Sequence, residues 1–269
     1  MGKCLNVSIV LYNSDPKNII SLVDLILQSK NINQIYLIDN SAITSTLYDN
    51  CGAKYHYVGA NLGYGSAHNI AIKESIKEGV KYHLVLNSDI AFNANIIDSL
   101  IDKMESDFSI GLIMPKVLNL DGSIQILPKL LPTPFNLLIR VISPLGKLFN
   151  SVNKRYTLEQ YKDVELNVPI ISGCFSLFRV GAVQEVGLYD EKFFMYFEDF
   201  DISRRVHAKY KTIYYPKVSI IHAHERGAAK SLKLFIIFIK SAITYFNKYG
   251  WFFDKQKSEI NANVLKSLK

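Results

Sequence analysis

The chain has 269 residues, 49% of them hydrophobic and 20% charged, and a formal net charge of +7. That is ample core material for one large or two small domains, and it excludes an intrinsically disordered chain. Cys4, Cys51 and Cys174 are far apart and odd in number, which argues against a disulfide framework or a zinc site and for a reducing, cytosolic compartment.

Met1 to Val10 has one lysine and a short apolar run leading into Asn13-Ser14-Asp15, the pattern of a first strand and not of a signal peptide. Asn6 to Leu11 reads as that strand, and Pro16 sits where a helix can start, with Ile19, Ile20, Val23, Leu25, Ile26 and Leu27 at helical spacing. Gln34 to Ile38 is a second strand ending at Asp39-Asn40-Ser41. Tyr55 to Val58 is a third, followed by Gly59-Ala60-Asn61-Leu62-Gly63-Tyr64-Gly65 and a helix from about Ser66 to Glu78. Leu84-Val85-Leu86 is aliphatic on both faces, as in a buried central strand, and stops at Asn87-Ser88-Asp89. Strands alternating with helices predict a parallel, doubly wound sheet whose loops share one edge.

Further on, Ile96 to Met104 reads as a helix and Ile110 to Met114 as a strand closed by Pro115. Leu127 to Pro144 is a proline-punctuated apolar insertion, expected as a loop over the sheet. Ile170 to Phe178 reads as a strand containing Gly173, Ile202 to Tyr210 as a helix, and Thr212 to Tyr215 and Val218 to Ile221 as two strands, the second ending in His222-Ala223-His224. No repeat or linker divides the chain. The expectation is one domain over 1–226 and a helical C-terminal extension over 227–269.

Four groups could carry chemistry. Asn87-Ser88-Asp89 could hold a divalent metal through Asp89 at the sheet rim; read alone, it fits a turn or a helix cap better, because these residues favour both. Glu198-Asp199-Phe200-Asp201 opens a helix, where acids are favoured by the helix dipole, yet the aromatic run before it would raise a carboxyl pKa toward general-base duty. At most one of His222 and His224 can face a site, since strand side chains alternate. Asn61 to Gly65 could approach a phosphate at a helix N-terminus. His68 fills the third glycine position of the dinucleotide fingerprint, which disfavours a nicotinamide enzyme.

The net charge is local. From Arg226 to Lys269 there are nine basic residues against Asp254 and Glu259, so the first 225 residues are neutral. With Leu234 to Ile239, Tyr245, Phe246, Trp251, Phe252 and Phe253, this tail reads as an amphipathic membrane-surface helix more than a nucleic-acid arm. Its alternative is a terminal helix packed on the core with a solvated lysine face. No segment reaches the roughly 18 to 20 apolar residues of a membrane span.

The motifs Tyr12-Asn13, Ile38-Asp39-Asn40-Ser41, Asn61 to Gly65 with Asn69, Leu86 to Asp89, Gly187-Leu188-Tyr189-Asp190-Glu191, Phe193 to Asp201 and Ile221-His222 occur in the order found in family 2 glycosyltransferases. Over about residues 5 to 226 the chain resembles that family, most closely its rhamnosyltransferase-like branch of bacterial surface-polysaccharide synthesis, including O-antigen. The resemblance implies a GT-A fold, a Rossmann-like and mostly parallel central sheet flanked by helices, and an inverting sugar transfer from a nucleotide diphosphate.

It further implies nucleotide contacts from Tyr12, Asn13, Asp39, Asn61, Gly63, Asn87 and Ser88, and Mg²⁺ or Mn²⁺ held by Asp89 with His222. Asp199 is implied as general base, with Glu198 as rival. Asn87 departs from the family's Asp-X-Asp pattern. The implied donor is dTDP-rhamnose and the acceptor a lipid-linked oligosaccharide, at the inner face of a bacterial plasma membrane. The alternatives are a UDP-hexose donor, a non-catalytic sugar-nucleotide-binding module, or an adaptor centred on the basic tail. On the enzyme reading, a chain cut at about Leu232 keeps residual transfer.

Overall fold

β1 (Leu5–Leu11) is buried along its length except at Val10, which faces neighbours only in part. The computed structural model describes residues 2–93, 95–141, 150–223 and 231–268. After β1, α1 (Pro16–Ile26) starts where Asp15 accepts the Lys17 N–H and Pro16 needs no partner. Then come β2 (Ile32–Asp39), β3 (Lys54–Tyr57), α2 (Tyr64–Glu78), β4 (Tyr82–Leu86), β5 (Ile90–Ala91), α3 (Asn95–Ser106) and β6 (Ile110–Leu118). The second half adds α4 (Pro134–Val141), α5 (Asn150–Thr157), β7 (Leu166–Asn167), β8 (Phe175–Arg179), α6 (Val180–Val186), α7 (Glu198–His207), β9 (Lys211–His222) and the helices α8 (Leu232–Tyr249) and α9 (Lys255–Ser267).

The strands form one sheet in the order β3-β2-β1-β4-β8-β6-β9-β5, with β7 also on β9. β3, β2, β1 and β4 are parallel, as the alternation of strand and helix requires, and so are β6 and β9. β8 runs antiparallel between β4 and β6. The switch from parallel to antiparallel neighbours thus falls beside β4, at the strand that ends in Asn87-Ser88-Asp89.

Several expectations need correction. β6 does not stop at Pro115. It continues to Leu118, because Pro115 lies at a register shift against β9, where its missing N–H breaks no regular ladder. Only Phe175 to Arg179 of the expected Ile170–Phe178 strand is regular; Ile170 makes a lone bridge to Lys129, and Gly173 lies in a turn. The two strands expected over 212–221 are one, β9. The insertion contains a helix, α4, while Ile142 to Pro144, like His224, Arg226 and Lys230, lies outside the described residues.

Between β1, β4 and α2 lies a buried polar cluster. The Ser8 hydroxyl is 2.6 Å from His68 Nδ1 and 2.8 Å from His83 Nε2, and Ser75 Oγ is 2.7 Å from His83 Nδ1. Burial holds the His83 imidazole down at about 3, because a charged ring there would lose its water without a carboxylate in exchange. A depressed histidine contributes stability that is present above the unfolded pKa of about 6.5 and lost as pH falls below it. The ring resonances of His83 are therefore expected to stay flat in an NMR titration from pH 8 to 4.5. A midpoint near 6.5 would contradict the buried, neutral assignment.

The C-terminal helices are joined to the domain at several points. Arg204 on α7, 2% exposed, donates to both Asp254 oxygens at 2.7 Å, stacks 3.9 Å over the Tyr249 ring, and reaches Gln256. Asp254 in turn caps α9 by accepting the Lys257 N–H. Tyr245, Phe246 and Ala242 of α8 share a core with Phe193 and Phe197, and Ser241 donates to the Met195 carbonyl. The inner face of α8 thereby braces the segment that leads into Glu198.

Candidate active site

The loops after β1, β2 and β3 meet at one sheet edge. Asp39, 2% exposed, accepts the Ser41 N–H at 2.8 Å on one oxygen and the Tyr55 hydroxyl at 2.7 Å on the other. Asn13, held at a positive φ of 52°, donates its N–H to Ser41 Oγ at 2.8 Å, while the Tyr12 ring before it is 56% exposed. Asn40 Nδ2 donates to the Gly63 carbonyl, and Asn61 Oδ1 accepts the Gly63 N–H, each at 3.0 Å. The structure thus brings Tyr12, Asn13, Asp39, Asn61 and Gly63 to one rim. Gly63 has φ of 84°, and any Cβ there would collide with the Phe194 carbonyl. That carbonyl also accepts the Tyr64 N–H at 2.8 Å, so the close approach that requires glycine is made by the protein's own chain.

Tyr64 joins this rim to a second group. Its hydroxyl donates to Asn87 Oδ1 and to the Gly173 carbonyl, both at 2.7 Å, one proton shared between two acceptors. Asn87 Nδ2 lies 3.3 Å from His222 Nε2, and His222 Nε2 lies 3.3 Å from Asp89 Oδ1. Asn87 to Asp89 form a turn between β4 and β5 and cap no helix; β5 pairs at once with the end of β9, Ile90 opposite His222. That pairing sets His222 against Asp89. Ser88 sits half-buried in the same turn. Gln125 fixes the imidazole from behind: its Nε2 donates to the His222 carbonyl at 2.9 Å, which leaves Oε1 3.3 Å from His222 Nδ1. Burial lowers the His222 pKa, but Asp89 and the Cys174 thiol raise it more, to about 9.

A divalent ion fits this donor set by displacing the proton that Asp89 holds on His222, since a histidine ligand must be neutral. A carboxylate oxygen and an imidazole nitrogen bound side by side to one six-coordinate ion stand about 3 Å apart, close to the observed separation of Asp89 and His222. Among the described residues no three His, Cys, Asp or Glu side chains converge, so the remaining ligands of such an ion would be substrate oxygens and water, the usual arrangement for Mg²⁺ with a nucleotide.

The acidic pair enters through the same turn. Asp199 Oδ2 accepts the Gly173 N–H at 3.2 Å, and Oδ1 the Phe200 N–H at 2.9 Å. Burial raises the Asp199 pKa, opposed by the Lys129 ammonium and those two N–H groups. Glu198 is driven well above the carboxylate range by burial and then by the charge of Asp199, and among the described residues its Oε2 has no hydrogen-bond partner. Of the two adjacent acids, Asp199 therefore carries the negative charge. Tyr196 and Phe197 precede them at φ of 67° and 65°, a left-handed conformation that costs aromatic residues on the order of 1–3 kcal/mol each. The aromatic core of α8 compensates for it.

Every sequence-predicted site residue thus lies at one end of the sheet, in two groups linked by Tyr64. Tyr64, Gln125, Lys129 and Gly173 were not predicted. Tyr64 and Gly173 stood inside segments already singled out; Gln125 and Lys129 come from an aperiodic stretch that offers no signal. Two surface hollows, of 710 and 580 Å³, lie elsewhere, the first around Lys3, Asn33, Glu78 and Lys81 at the opposite strand ends. Their size does not outweigh the convergence of acids, imidazole and amides at the other edge.

Solved structures share this architecture. GalNAc-T7 with UDP, GalNAc and Mn²⁺ aligns with a TM-score of 0.59 at 17% identity, over 81% of this chain and 43% of that one. TarS 1-349 of S. aureus in complex with UDP aligns at 0.59 and 13% identity, over 97% and 70%, and mannosyl-3-phosphoglycerate synthase of Rubrobacter xylanophilus at 0.57 and 12%, over 93% and 76%. The fold is GT-A. The model of Glycosyl transferase family 2 matches residues 7–187, and the chain belongs to that family.

Two curated relatives refine the comparison. The N-acetylglucosaminyl-diphospho-decaprenol L-rhamnosyltransferase of Mycobacterium tuberculosis is 30% identical over 184 residues, 63% of this chain and 59% of the relative. The low-salt glycan biosynthesis hexosyltransferase Agl10 of Haloferax volcanii is 30% identical over 207 residues, 75% and 61%. The chain spans about three fifths of the length of the curated relatives it matches.

Proposed function

We propose that this protein is an inverting glycosyltransferase that moves L-rhamnose from dTDP-rhamnose to a hydroxyl of a lipid-linked glycan in cell-surface polysaccharide synthesis. The observation that carries the reading is the hydrogen-bonded series from Gly63 through Tyr64 to Asn87 and Gly173, which sets the Asp39 rim, the Asp89–His222 pair and the Asp199 carboxylate at one sheet edge. The rhamnose and the polyprenyl diphosphate are those in the name of the mycobacterial relative; the hexosyltransferase relative supports a hexose as the alternative sugar, for which the donor would be a UDP-hexose.

In this reading Asp39, Tyr12, Asn13 and Asn61 hold the nucleoside, with Gly63, Asn87 and Ser88 along the diphosphate. Asp89 and His222 would hold Mg²⁺ or Mn²⁺, which neutralises the charge on the departing diphosphate. Asp199 takes the proton of the acceptor hydroxyl as its oxygen bonds to the anomeric carbon, and the bond from that carbon to the diphosphate oxygen breaks with the electron pair leaving on phosphate. Asn87, in place of a second carboxylate, leaves the amide free to bridge Tyr64 and His222.

A panel of activated sugars is the direct test. Transfer or hydrolysis is expected with dTDP-rhamnose; turnover with UDP-galactose alone would remove the rhamnose assignment. Tyr64→Phe deletes the bridge without touching a reacting group, so kcat is expected to fall on the order of tenfold or more while KM for the donor changes little. An unchanged kcat would show that the Gly173 turn holds its place without Tyr64.

We also propose that residues 1–226 carry the transferase site, held together with the help of 227–269, and that this C-terminal extension contacts a membrane surface on the cytoplasmic side. No helix among the described residues is long and apolar enough to cross a membrane. A surface mode of binding is supported instead by the local excess of positive charge in the tail.

A further inference from the structure

α8 is apolar on two adjoining faces. Its inner face, Ala242, Tyr245 and Phe246, is buried against Phe193 and Phe197. Its outer face carries Leu232, Ile236, Ile239 and Ile243, which are 75, 46, 38 and 42% exposed. Steps of four, three and four residues place these on one stripe of a helix. Lys233 and Lys240 run along one flank of it, both exposed. The turn that follows exposes Phe252 and Phe253 at 81 and 96%. A helix whose apolar arc runs on past its buried face has a second surface to bury, beyond the core that holds the first.

α4 extends that surface. Its Leu137 packs into the same aromatic core as Phe238 and Tyr196, while Phe135 and Leu138 stay 50 and 52% exposed. We infer that the outer faces of α4 and α8 form one monotopic surface that inserts shallowly into an anionic bilayer, with Lys233 and Lys240 at headgroup level. The occupant follows from charge and shape together. The stripe is aliphatic and flanked by lysine, and the chain's whole excess of positive charge lies from residue 226 onward, which suits a negatively charged lipid surface.

The inference rests on the proposed lipid-linked acceptor and deepens it. The inner face of α8 touches the strained segment before Glu198 and Asp199, with the rings of Phe197 and Phe238 5.3 Å apart. The exposed stripe thus lies on the same helix that braces the acidic pair. A lipid anchor in the bilayer would then place its diphosphate and sugars beside the sheet edge.

Flotation of the full chain with vesicles of phosphatidylglycerol and phosphatidylethanolamine tests this without an activity readout. Wild type is expected to float at low salt and to stay largely bound in 0.5 M NaCl, because the aliphatic contact is not screened. Ile236→Glu with Ile243→Glu should lower the bound fraction on the order of tenfold or more with an unchanged melting temperature, both positions being exposed. Phe252→Ser with Phe253→Ser should lower it independently of any helix effect. Complete release by salt, or undiminished flotation of the Ile236→Glu/Ile243→Glu protein, overturns the inference. So does a wild-type dimer in light scattering that this variant converts to monomer, since a second copy would then be the occupant. Transfer of sugar to a short-chain, water-soluble acceptor should be unaffected by these variants; loss of that transfer in wild type counts against the proposed activity and leaves the lipid surface standing.

Discussion

Asp199→Asn is expected to lower sugar transfer by about 10²- to 10⁴-fold, the range for removing a general base, while binding of the nucleotide donor stays nearly intact. The substitution keeps the size of the side chain and an oxygen for the Gly173 N–H or the Phe200 N–H. What it removes is the charge that, in the proposed mechanism, takes the acceptor proton. Glu198→Gln should behave differently. Burial and the neighbouring Asp199 keep Glu198 protonated, so the amide replaces a neutral group and most transfer should survive.

The sign of a stability test is also fixed. A carboxyl whose folded pKa is raised contributes stability that is present below its unfolded value and lost as pH rises toward the folded one. The Glu198→Gln protein should therefore gain stability relative to wild type as pH rises from 4.5 upward, measured by urea unfolding. If Asp199→Asn retains transfer and Glu198→Gln loses it, the base is Glu198.

The second large effect is on the fold. Asp254→Ala should destabilise the protein by about 3–5 kcal/mol, because it leaves the Arg204 guanidinium buried without its carboxylate. With total stabilities of about 5–15 kcal/mol, that is a drop in melting temperature on the order of 10 °C. The double variant Arg204→Met with Asp254→Leu should recover much of the loss, since a buried ion pair is often replaced by apolar groups at little cost. A melting temperature within 1–2 °C of wild type for Asp254→Ala would show that the pair is open to water. The same packing changes the expectation for a chain cut at Leu232. It would lose Asp254, Tyr245 and Phe246 together, so unfolding is expected in place of residual transfer.

The sequence was most legible where one residue type had one local job. The buried run of β4, Pro16 at the start of α1, and the polar stops at Asp39 and Asn87 follow from burial and capping alone, and they suffice to place four parallel strands and their loops on one edge. Pairing between distant segments was less legible. Nothing in Leu84 to Leu86 says that its outer neighbour, β8, runs the other way, and nothing in Pro115 says that β6 continues past it, since both depend on partners far along the chain.

The site divides in the same manner. Asp39, Asp89, Asp199 and His222 stand out by residue type and position. The groups that hold them, Tyr64, Gln125 and Gly173, are recognisable only once Tyr64 is seen to be 2.7 Å from two different loops. The tail was read as an amphipathic helix or a core helix with a lysine face. α8 is a core helix whose buried arc adjoins an exposed aliphatic stripe, because its aromatics turn inward to cover the positive-φ pair Tyr196 and Phe197.

A crystal structure of the chain with dTDP-rhamnose and Mn²⁺ tests the central claim most directly. The account predicts the thymine against Asp39, the ion between the diphosphate, Asp89 and His222, and the anomeric carbon facing the Asp199 carboxylate on the side opposite the diphosphate. A donor bound at the opposite strand ends, around Lys3, Asn33 and Lys81, or an ion held away from Asp89 and His222, would contradict it.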